Sequence, residues 1–431
     1  MKPKFQTPTG MHDVLPEDQK YFQKIYKVVK DISEFYSFKK IDTPIVESSE
    51  LFEKGTGLST DIVGKQMYTF RTRGGDYLTL RPEGTPPIVR AYIEHGMQNF
   101  PQPIKFWHFG PFFRYERPQA GRFRQFHQFG LEIFGEENPA VDAQIIQISY
   151  NILRELHFKN LIIEVNSLGD NQCMPYYKKL LVSYLRPFKT SLCPDCRRRL
   201  KENPLRILDC KQEKCQNIVR QAPQMIDHLC EECRKHFKEV LEFLDELNLP
   251  YRLNFFLVRG LDYYTKTVFE IYQDTEEGRK VGALIGGGRY DNLIKLLGGK
   301  DAPACGTAGG VERILALIRA KNKGVFMEPS AKIFLAQLGP LAKRKSLKLF
   351  EDFRKAKIKI AESFGRDSLK VQLSRASRMG ARYTLILGQK EAIEGTILIK
   401  DMKTGRQSIV EINKVIKEIK KKLKKIANYT T

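Results

Sequence analysis

Apolar residues recur at helical spacing near the start of the chain, at Phe22, Ile25, Val29, Ile32 and Phe35/Tyr36. Pro16 precedes them where a first-turn proline is tolerated, so residues 17–37 are predicted to form an amphipathic helix. Ile41–Val46 then reads as a strand, with Pro44 placing it at an edge or a bulge. Further strand signals follow at Gln66–Phe70, Tyr77–Leu80, Ile104–Phe109, Phe112–Tyr115 and Phe123–Ile133. Many strands with few intervening helices predict an α+β fold built on a largely antiparallel sheet with flanking helices.

The pattern changes at residues 170–250, which are Cys-rich and charged. Helical spacing at Met174–Leu185 and Cys230–Leu247 makes this stretch an inserted helical subdomain. Sheet patterning returns at Tyr251–Val258, Thr267–Tyr272 and Val281–Ile285, and a helix over Gly309–Arg319 closes a first domain of residues 1–325. Lys321-Asn322-Lys323-Gly324 reads as the linker. Residues 330–431 alternate strand (Lys332–Leu338), helix (Ser346–Arg354), strand (Ile358–Glu362), helix (Ser368–Met379) and strands (Tyr383–Leu387, Gly395–Lys400), a small α/β domain. The final helix puts Ile412, Val415, Ile416, Ile419, Leu423 and Ile426 on one face and lysines on the rest, as a packed terminal helix with a solvated face would.

Length allows two or three domains with proper cores. The N-terminus has no apolar run of the signal-peptide kind, and apolar stretches such as Leu253–Val258 are far too short to span a membrane, so a cytoplasmic protein is expected. The chain carries 73 Lys+Arg against 50 Asp+Glu. Residues 331–431 hold 25 Lys+Arg and 9 Asp+Glu, a net +16, so the last quarter has most of the excess. That asymmetry suits a polyanionic partner, nucleic acid first among them.

Candidate chemistry concentrates in four segments. Phe113 to Glu132 alternates arginines with aromatics: Arg114, Glu116, Arg122, Arg124 and Gln128 keep a two-residue period, broken by Pro118–Gly121. This predicts a hairpin with one guanidinium-rich face, suited to holding phosphate bidentately; taken alone, a solvated basic hairpin reads equally well. Leu80-Arg81-Pro82-Glu83-Gly84-Thr85 places a carboxylate and a hydroxyl in a rigid loop able to fix an ammonium group. Arg259-Gly260-Leu261-Asp262-Tyr263-Tyr264 offers a cation, an acceptor and two phenols to one pocket. Gly286-Gly287-Gly288-Arg289-Tyr290 and Gly309-Gly310-Val311-Glu312-Arg313 supply backbone that a flat ring can approach and an arginine near a helix start. There is no Walker-type loop and no dinucleotide fingerprint.

In order and local sequence these segments resemble the histidyl-tRNA synthetases, class II aminoacyl-tRNA synthetases, over essentially the whole chain. The likeness begins at Thr9-Gly10-Met11-His12-Asp13. It runs through Tyr68-Thr69-Phe70, Thr79–Thr85, the hairpin (similar to class II motif 2), Arg259–Tyr264 (similar to the histidine-specific motif) and Gly309–Arg313 (similar to motif 3). The resemblance implies a class II catalytic domain with a helical insertion and a C-terminal anticodon-binding domain. It implies ligation of L-histidine to tRNA(His) through histidyl-adenylate, with ATP and Mg²⁺, in a homodimer whose 17–46 unit resembles motif 1. By the same resemblance Arg114 and Arg259 are catalytic, and Arg114, Glu116, Arg122 and Arg313 bind ATP. Glu83, Thr85, Gln128, Glu132, Arg259, Tyr263, Tyr264 and Tyr290 bind histidine, and Arg117, Gln119 and Arg124 approach the tRNA acceptor stem. Relatives that act as regulators typically lose catalytic arginines or the anticodon domain, and this chain has both. Cys305-Gly306-Thr307-Ala308 departs from the more apolar start expected of motif 3, which implies a packing change only.

The cysteines stand apart from that resemblance. Cys193-Pro-Asp-Cys196 and Cys230-Glu-Glu-Cys233 have the knuckle spacing of tetrahedral zinc. Cys193, Cys196, Cys230 and Cys233 are the candidate Zn²⁺ ligands, with Cys210 and Cys215 in competition and reduced free thiols the alternative.

Overall fold

The computed structural model describes residues 4–119, 121–274, 282–321, 332–365 and 368–427. The chain divides into two compact units, Met1–Lys323 and Gly324–Thr431. From residue 322 onward the expected linker lies outside the described residues, as does Val281 at the start of one expected strand.

The first unit is built on an eight-stranded sheet. Its strands stand in the order Lys39–Lys40, Ile104–Phe113, Gln125–Phe134, Ala304–Gly310, Ile285–Arg289, Thr265–Gln273, Leu161–Ser167 and Tyr251–Leu253. The two outermost pairings are parallel and every inner one is antiparallel. Side chains alternate across a strand, so directly paired residues share a face. Trp107, Leu131, Cys305, Ile285, Phe269, Ile271 and Val165 fall on one face. They pack on the helices Pro16–Phe35, Pro139–Glu155 and Glu231–Glu246, through residues such as Ile25, Val29, Ile146, Ile152, Phe237 and Val240. Burying each such side chain stabilises the fold by roughly 1.5–3 kcal/mol. The opposite face is polar and glycine-rich: His108 pairs with Gly130, Gly130 with Ala308, Ala308 with Gly286, and Gly286 with Glu270. This second face is the floor of the cleft described below.

Several sequence expectations change. Residues 41–45 are not a strand. Arg81 Nη1 donates to the carbonyl and to the hydroxyl oxygen of Thr43 (2.8 and 3.1 Å), and Pro44 has no N–H, so these groups are not spent in a ladder. The two strands expected at 104–115 are one, ending at Phe113. The guanidinium-rich face is also corrected, because the 104–113/125–134 ladder stops at Phe113 and Gln125. Arg114, Glu116, Arg122 and Arg124 lie beyond it in a loop, so a strand period does not align them. The 251–258 stretch is strand only over Tyr251–Leu253. Thr85, read as part of the rigid loop from Leu80, instead opens the helix Thr85–Glu94, with Pro86 and Pro87 in its first turn, where proline's missing N–H is harmless. Gly286–Gly288 lies in the central strand Ile285–Arg289, and Ala304–Gly310 is a strand that delays the helix to Val311–Lys321.

One ion pair is wholly buried beneath this sheet. Arg289 is fully buried, with Nε 3.1 Å from both Asp142 oxygens and Nη1 3.0 Å from the Glu136 carbonyl. Burial alone would raise the Asp142 carboxyl, but Arg289, with His236 at 3.5 Å, holds it below the usual carboxylate range. The pair clamps the helix Pro139–Glu155 to the strand that delivers Tyr290.

The second unit has a five-stranded sheet in the order Ile360–Glu362, Ile333–Gln337, Tyr383–Leu387, Thr396–Asp401 and Gln407–Glu411. The first three strands are parallel and the last two antiparallel. Helices Pro340–Lys355, Leu369–Arg378 and Val415–Ala427 cover it, and Val415 and Ile419 of the last are fully buried. The strand Gln407–Glu411 escaped the sequence reading; it is an edge strand, exposed along most of its length. The side chain of Ile426 lies outside the described residues.

Removing one partner of a buried pair strands the other charge, so Asp142→Ala is expected to destabilise the first unit by roughly 3–5 kcal/mol. Trp107 is the only tryptophan and is 1% exposed, so its fluorescence during urea unfolding reports that unit. An unchanged urea midpoint would show that the pair contributes nothing.

Candidate active site

The glycine-rich face of the sheet floors a cleft of ≈ 820 Å³. Glu83, Thr85, Arg114, Glu116, Arg122, Gln128, Arg259, Tyr263, Tyr264, Tyr290 and Arg313 all line it, although they come from segments up to 230 residues apart. Glu132 stands just behind the wall, bonded to Thr85 and Tyr290. Arg117, Gln119 and Arg124 are not brought into the cleft. Gln119 and Arg122 bridge across the tip of the hairpin loop, with a 2.8 Å backbone bond between them. Arg124 is held inside the loop: its guanidinium stacks 3.9 Å from the Tyr115 ring centroid and Nε donates to the Glu116 carbonyl at 3.1 Å.

Two glycines make the floor usable. At Gly286 a Cβ would lie 2.6 Å from Arg259 Nη1, and at Gly306 it would collide with the Glu132 carboxylate. A methyl at either position would displace a charged side chain from the sheet. Gly306 sits in the stretch that departs from the expected motif 3, so its significance is not packing alone: it leaves room for Glu132.

One end of the cleft is a pocket of carboxylates and phenols. Glu83 accepts from Thr56 Oγ1 and, at 2.8 Å, from Tyr263 OH. Glu132 accepts from Thr85 Oγ1 at 2.8 Å and from Tyr290 OH. The rings of Tyr263, Tyr264 and Tyr290 cluster with centroids 4.8–6.4 Å apart. Burial pushes the Glu132 carboxyl up to about 8, with Glu83 adding to the rise and the Tyr290 and Thr85 hydrogen bonds opposing it. Burial likewise raises Glu83. All three tyrosines are raised, chiefly by burial, and stay protonated donors. His108 beneath them is pulled down to about 3 by burial and by Arg81, so its imidazole is neutral. Paired acceptors with hydroxyl donors suit a ligand carrying an ammonium group and ring nitrogens.

The other end is cationic. Arg114 Nε donates to the Pro82 carbonyl at 2.9 Å, and its guanidinium lies over Phe126, 5.3 Å from the ring centroid. Arg259 is paired with Glu270, which holds it well above its ordinary pKa against the pull of burial. Its Nε is buried with no protein partner. Arg313, in the first turn of Val311–Lys321, donates to the Ala283 carbonyl and is lowered by burial and by Arg122. Arg122 faces Glu116 at 3.6 Å. Three arginines held at fixed points in a half-buried cleft form a site for a polyphosphate.

The sequence reading missed Thr56 and Glu270, and Asp262, read as an acceptor for the pocket, does not line the cleft. Thr56 holds Glu83. Glu270 anchors Arg259, and it could have been suspected as the one carboxylate in the apolar strand Thr265–Gln273. Asp262 takes Ser59 Oγ and, at 2.6 Å, Asn203 Nδ2, tying its loop to the insertion. The zinc assignment is corrected: Cys193 and Cys196 converge with Cys210 and Cys215, whereas Cys230 and Cys233 converge with Asp170 and Cys173. Two CxxC pairs with similar spacing do not form one site, because each closes on nearer partners.

Comparison with known proteins gives this geometry its context. A family profile described as histidyl-tRNA synthetase matches residues 10–169 and 197–314, and one described as an anticodon binding domain matches 332–422. The chain belongs to the histidyl-tRNA synthetase family. It is 44% identical over 421 residues to a histidine–tRNA ligase of Dehalococcoides mccartyi, covering 97% of this chain and 100% of the relative. It is 43% identical to one of Pelotomaculum thermopropionicum, over 96% and 97% of the two chains. The crystal structure of apo S. aureus histidyl-tRNA synthetase superposes with a TM-score of 0.78 at 36% identity, over 96% and 99% of the chains. The family's class II catalytic fold and anticodon-binding domain are thus present, and the α+β expectation holds. Asp170, Cys173, Cys193 and Cys196 fall between the matched spans.

Glu132 has a folded-state pKa of about 8, above that of an unfolded glutamate. Its contribution to stability is therefore complete below the unfolded value and is lost as pH rises through 8. Relative to Glu132→Gln, which cannot ionise, the unliganded wild type should lose stability progressively between about pH 4.5 and 8 and level off above that, in urea titrations followed by Trp107 fluorescence. A difference that stays flat across this range would show that Glu132 is not protonated in the fold.

Proposed function

We propose that this chain ligates L-histidine to tRNA(His) in two ATP-dependent steps. The observation that carries the reading is one cleft with a carboxylate–phenol pocket at one end and three arginines at the other, in a chain of this family. In the first step the histidine carboxylate oxygen attacks the α-phosphorus of Mg²⁺-bound ATP. The P–O bond to the β-phosphate breaks, giving histidyl-adenylate and pyrophosphate. In the second, the terminal ribose hydroxyl of the tRNA attacks the adenylate carbonyl and AMP leaves.

The nucleophile is already an anion, so the protein needs no general base for the first step. It must bring two anions together, and cations around the reacting phosphorus do this. Arg259, whose guanidinium lies 5.8 Å from the Tyr264 ring centroid, meets the carboxylate and the α-phosphate. Arg114 holds the α-phosphate and Arg313 the far phosphates. Glu116 and Arg122 flank the nucleotide. Glu83, Thr85 and Gln128 take the α-amino group; Glu132, Tyr264 and Tyr290 take the imidazole, with Tyr263 fixing Glu83. A buried polar pocket rejects ligands that leave its groups unpaired far more strongly than an apolar pocket would. Mg²⁺ bound with ATP would supply charge neutralisation for the leaving pyrophosphate.

In this reading residues 1–325 are the catalytic domain, with the 170–250 insertion, and residues 330–431 bind the anticodon. The +16 balance of residues 331–431 supports that role. Arg117 and Gln119, outside the cleft on the exposed hairpin loop, approach the acceptor stem together with Arg124. The protein acts as a cytoplasmic homodimer. Val46, Phe70 and Tyr77, exposed on the small sheet Val46–Ser48, Tyr77–Leu80 and Tyr68–Arg71, are apolar surface of the kind a partner covers. Among the described residues no helix is long and apolar enough to cross a membrane.

Histidine-dependent ATP–pyrophosphate exchange tests the chemistry. Arg259→Ala should lower exchange by roughly 10²–10³-fold, the range for one preorganised charge-stabilising donor. No exchange by the wild type would overturn the enzyme reading, and undiminished exchange by the variant would remove Arg259 from the mechanism. Extended to tRNA charging, the assay should show Gln119→Ala slowing transfer but not exchange; equal effects on both would put Gln119 in the adenylation step. Light scattering at twice 49.9 kDa is expected for the dimer, and a mass of 49.9 kDa would exclude it.

A further inference from the structure

The insertion contains two clusters of ligating atoms built in the same way. In one, the sulfurs of Cys193, Cys196, Cys210 and Cys215 lie within 4.8 Å of one another, and all four residues are buried. In the other, a carboxylate oxygen of Asp170 and the sulfurs of Cys173, Cys230 and Cys233 meet the same limit. The Cys193 and Cys210 sulfurs are 3.9 Å apart, and Asp170 Oδ2 is 3.9 Å from Cys230 Sγ. Around a tetrahedral zinc with Zn–S bonds of about 2.3 Å, sulfurs stand about 3.8 Å apart. A disulfide would need about 2.05 Å. The thiolates of a multi-iron cluster would be more widely spread than these atoms are.

Each cluster also has donors turned toward sulfur. Cys193 and Cys230 stand at the N-terminal caps of the helices Pro194–Glu202 and Glu231–Glu246, and each sulfur accepts from the backbone N–H three residues on, at 3.4 and 3.5 Å. The backbone N–H of Cys193 donates to Cys215 Sγ at 3.2 Å, and that of Cys230 to Cys173 Sγ at 3.0 Å. Thiols are weak hydrogen-bonding groups, so these contacts have most value when sulfur is a thiolate. Converging thiolates in turn require a cation. Asp170 is oriented for the same purpose. Its Oδ1 takes the N–H groups of Gln172 and Cys173 at 2.9 and 3.1 Å, which turns Oδ2 toward the cysteines.

We propose that the insertion binds two zinc ions, one held by Cys193, Cys196, Cys210 and Cys215 and the other by Asp170, Cys173, Cys230 and Cys233. Both sites are closed, with four protein ligands each, and are therefore structural rather than catalytic. The first shapes a wall of the cleft. Between its ligands Cys196 and Cys210 run Arg199, which reaches Asp61 at 3.0 Å, and Asn203, which holds Asp262 next to Tyr263. The second pins the start of Cys173–Leu185 to the start of Glu231–Glu246, whose later residues Phe237, Val240 and Leu244 are in the main core. Neither site depends on the aminoacylation reading.

Elemental analysis of the full chain, purified without chelator, is the direct test; about two zinc per chain are expected. Cys215→Ser and Cys173→Ser should each remove one equivalent and leave the other. Cobalt exchanged into each variant should give the visible and near-ultraviolet bands of a tetrahedral thiolate site, with less sulfur-to-cobalt intensity where Asp170 replaces a fourth sulfur. Should a variant fail to fold, titrating wild-type protein with a mercurial while following zinc release gives the same count. Metal-free protein with all eight cysteines reactive as free thiols, or bound iron instead of zinc, would overturn the proposal. A single zinc that Cys173→Ser leaves in place would overturn the Asp170 site.

Discussion

The site depends on side chains that are missing from one face of the central sheet. Gly130, Gly286 and Gly306, on adjacent strands, leave the sheet surface bare, and His108, Arg259 and Glu132 lie in the spaces their Cβ atoms would fill. Glycine in a strand forfeits packing and weakens the strand. The opposite face compensates: there the same strands carry Trp107, Leu131, Ile285 and Phe269 against three helices. One sheet is thus a core on one side and a binding floor on the other, and the two-residue period of its strands separates the roles.

Placing ionisable groups on that floor works against stability. Glu83 and Glu132 are both held in forms that resist ionisation, and Arg114 and Arg313 are both lowered by burial. Charges that are unfavourable in the unliganded fold become favourable when a zwitterion and a polyphosphate arrive, because each end of the cleft meets its opposite charge. Arg289 and Asp142 are similarly buried but satisfy each other, and they support the floor from beneath without facing the cleft.

The insertion is joined to this floor by a shared apolar cluster and by polar contacts, not by continuation of the sheet. Asn203 of the insertion donates to Ser59 and to Asp262, which also accepts from Ser59, and this ties the insertion to the loop bearing Arg259, Tyr263 and Tyr264; Arg199 of the insertion bonds Asp61 nearby. The insertion's apolar core, around Tyr177, Leu181, Leu200, Ile207 and Val219, lies directly against its clustered cysteines.

Helix and strand periods in the sequence located the first helix, the 125–134 strand, the 383–387 strand and the basic terminal helix. The motifs brought the cleft's Glu83, Arg114, Arg259, Tyr263, Tyr264, Tyr290 and Arg313 into view, because those residue types in that order have few other uses, but not Glu270 or the lining from Asp61, Arg199 and Arg206. Tertiary structure decided the rest. It placed Gly286–Gly288 in a central strand, since glycine's weak strand preference is overridden when neighbours on both sides supply hydrogen bonds and an arginine needs the space. It ended the hairpin ladder at Phe113, so that distant elements, and not a strand period, aim Arg114. It also divided the cysteines into two clusters, because ligand pairing follows distance in space and a spacing such as CxxC defines only half of a site. Local sequence therefore determined which groups this protein would use, whereas the fold determined which of them meet.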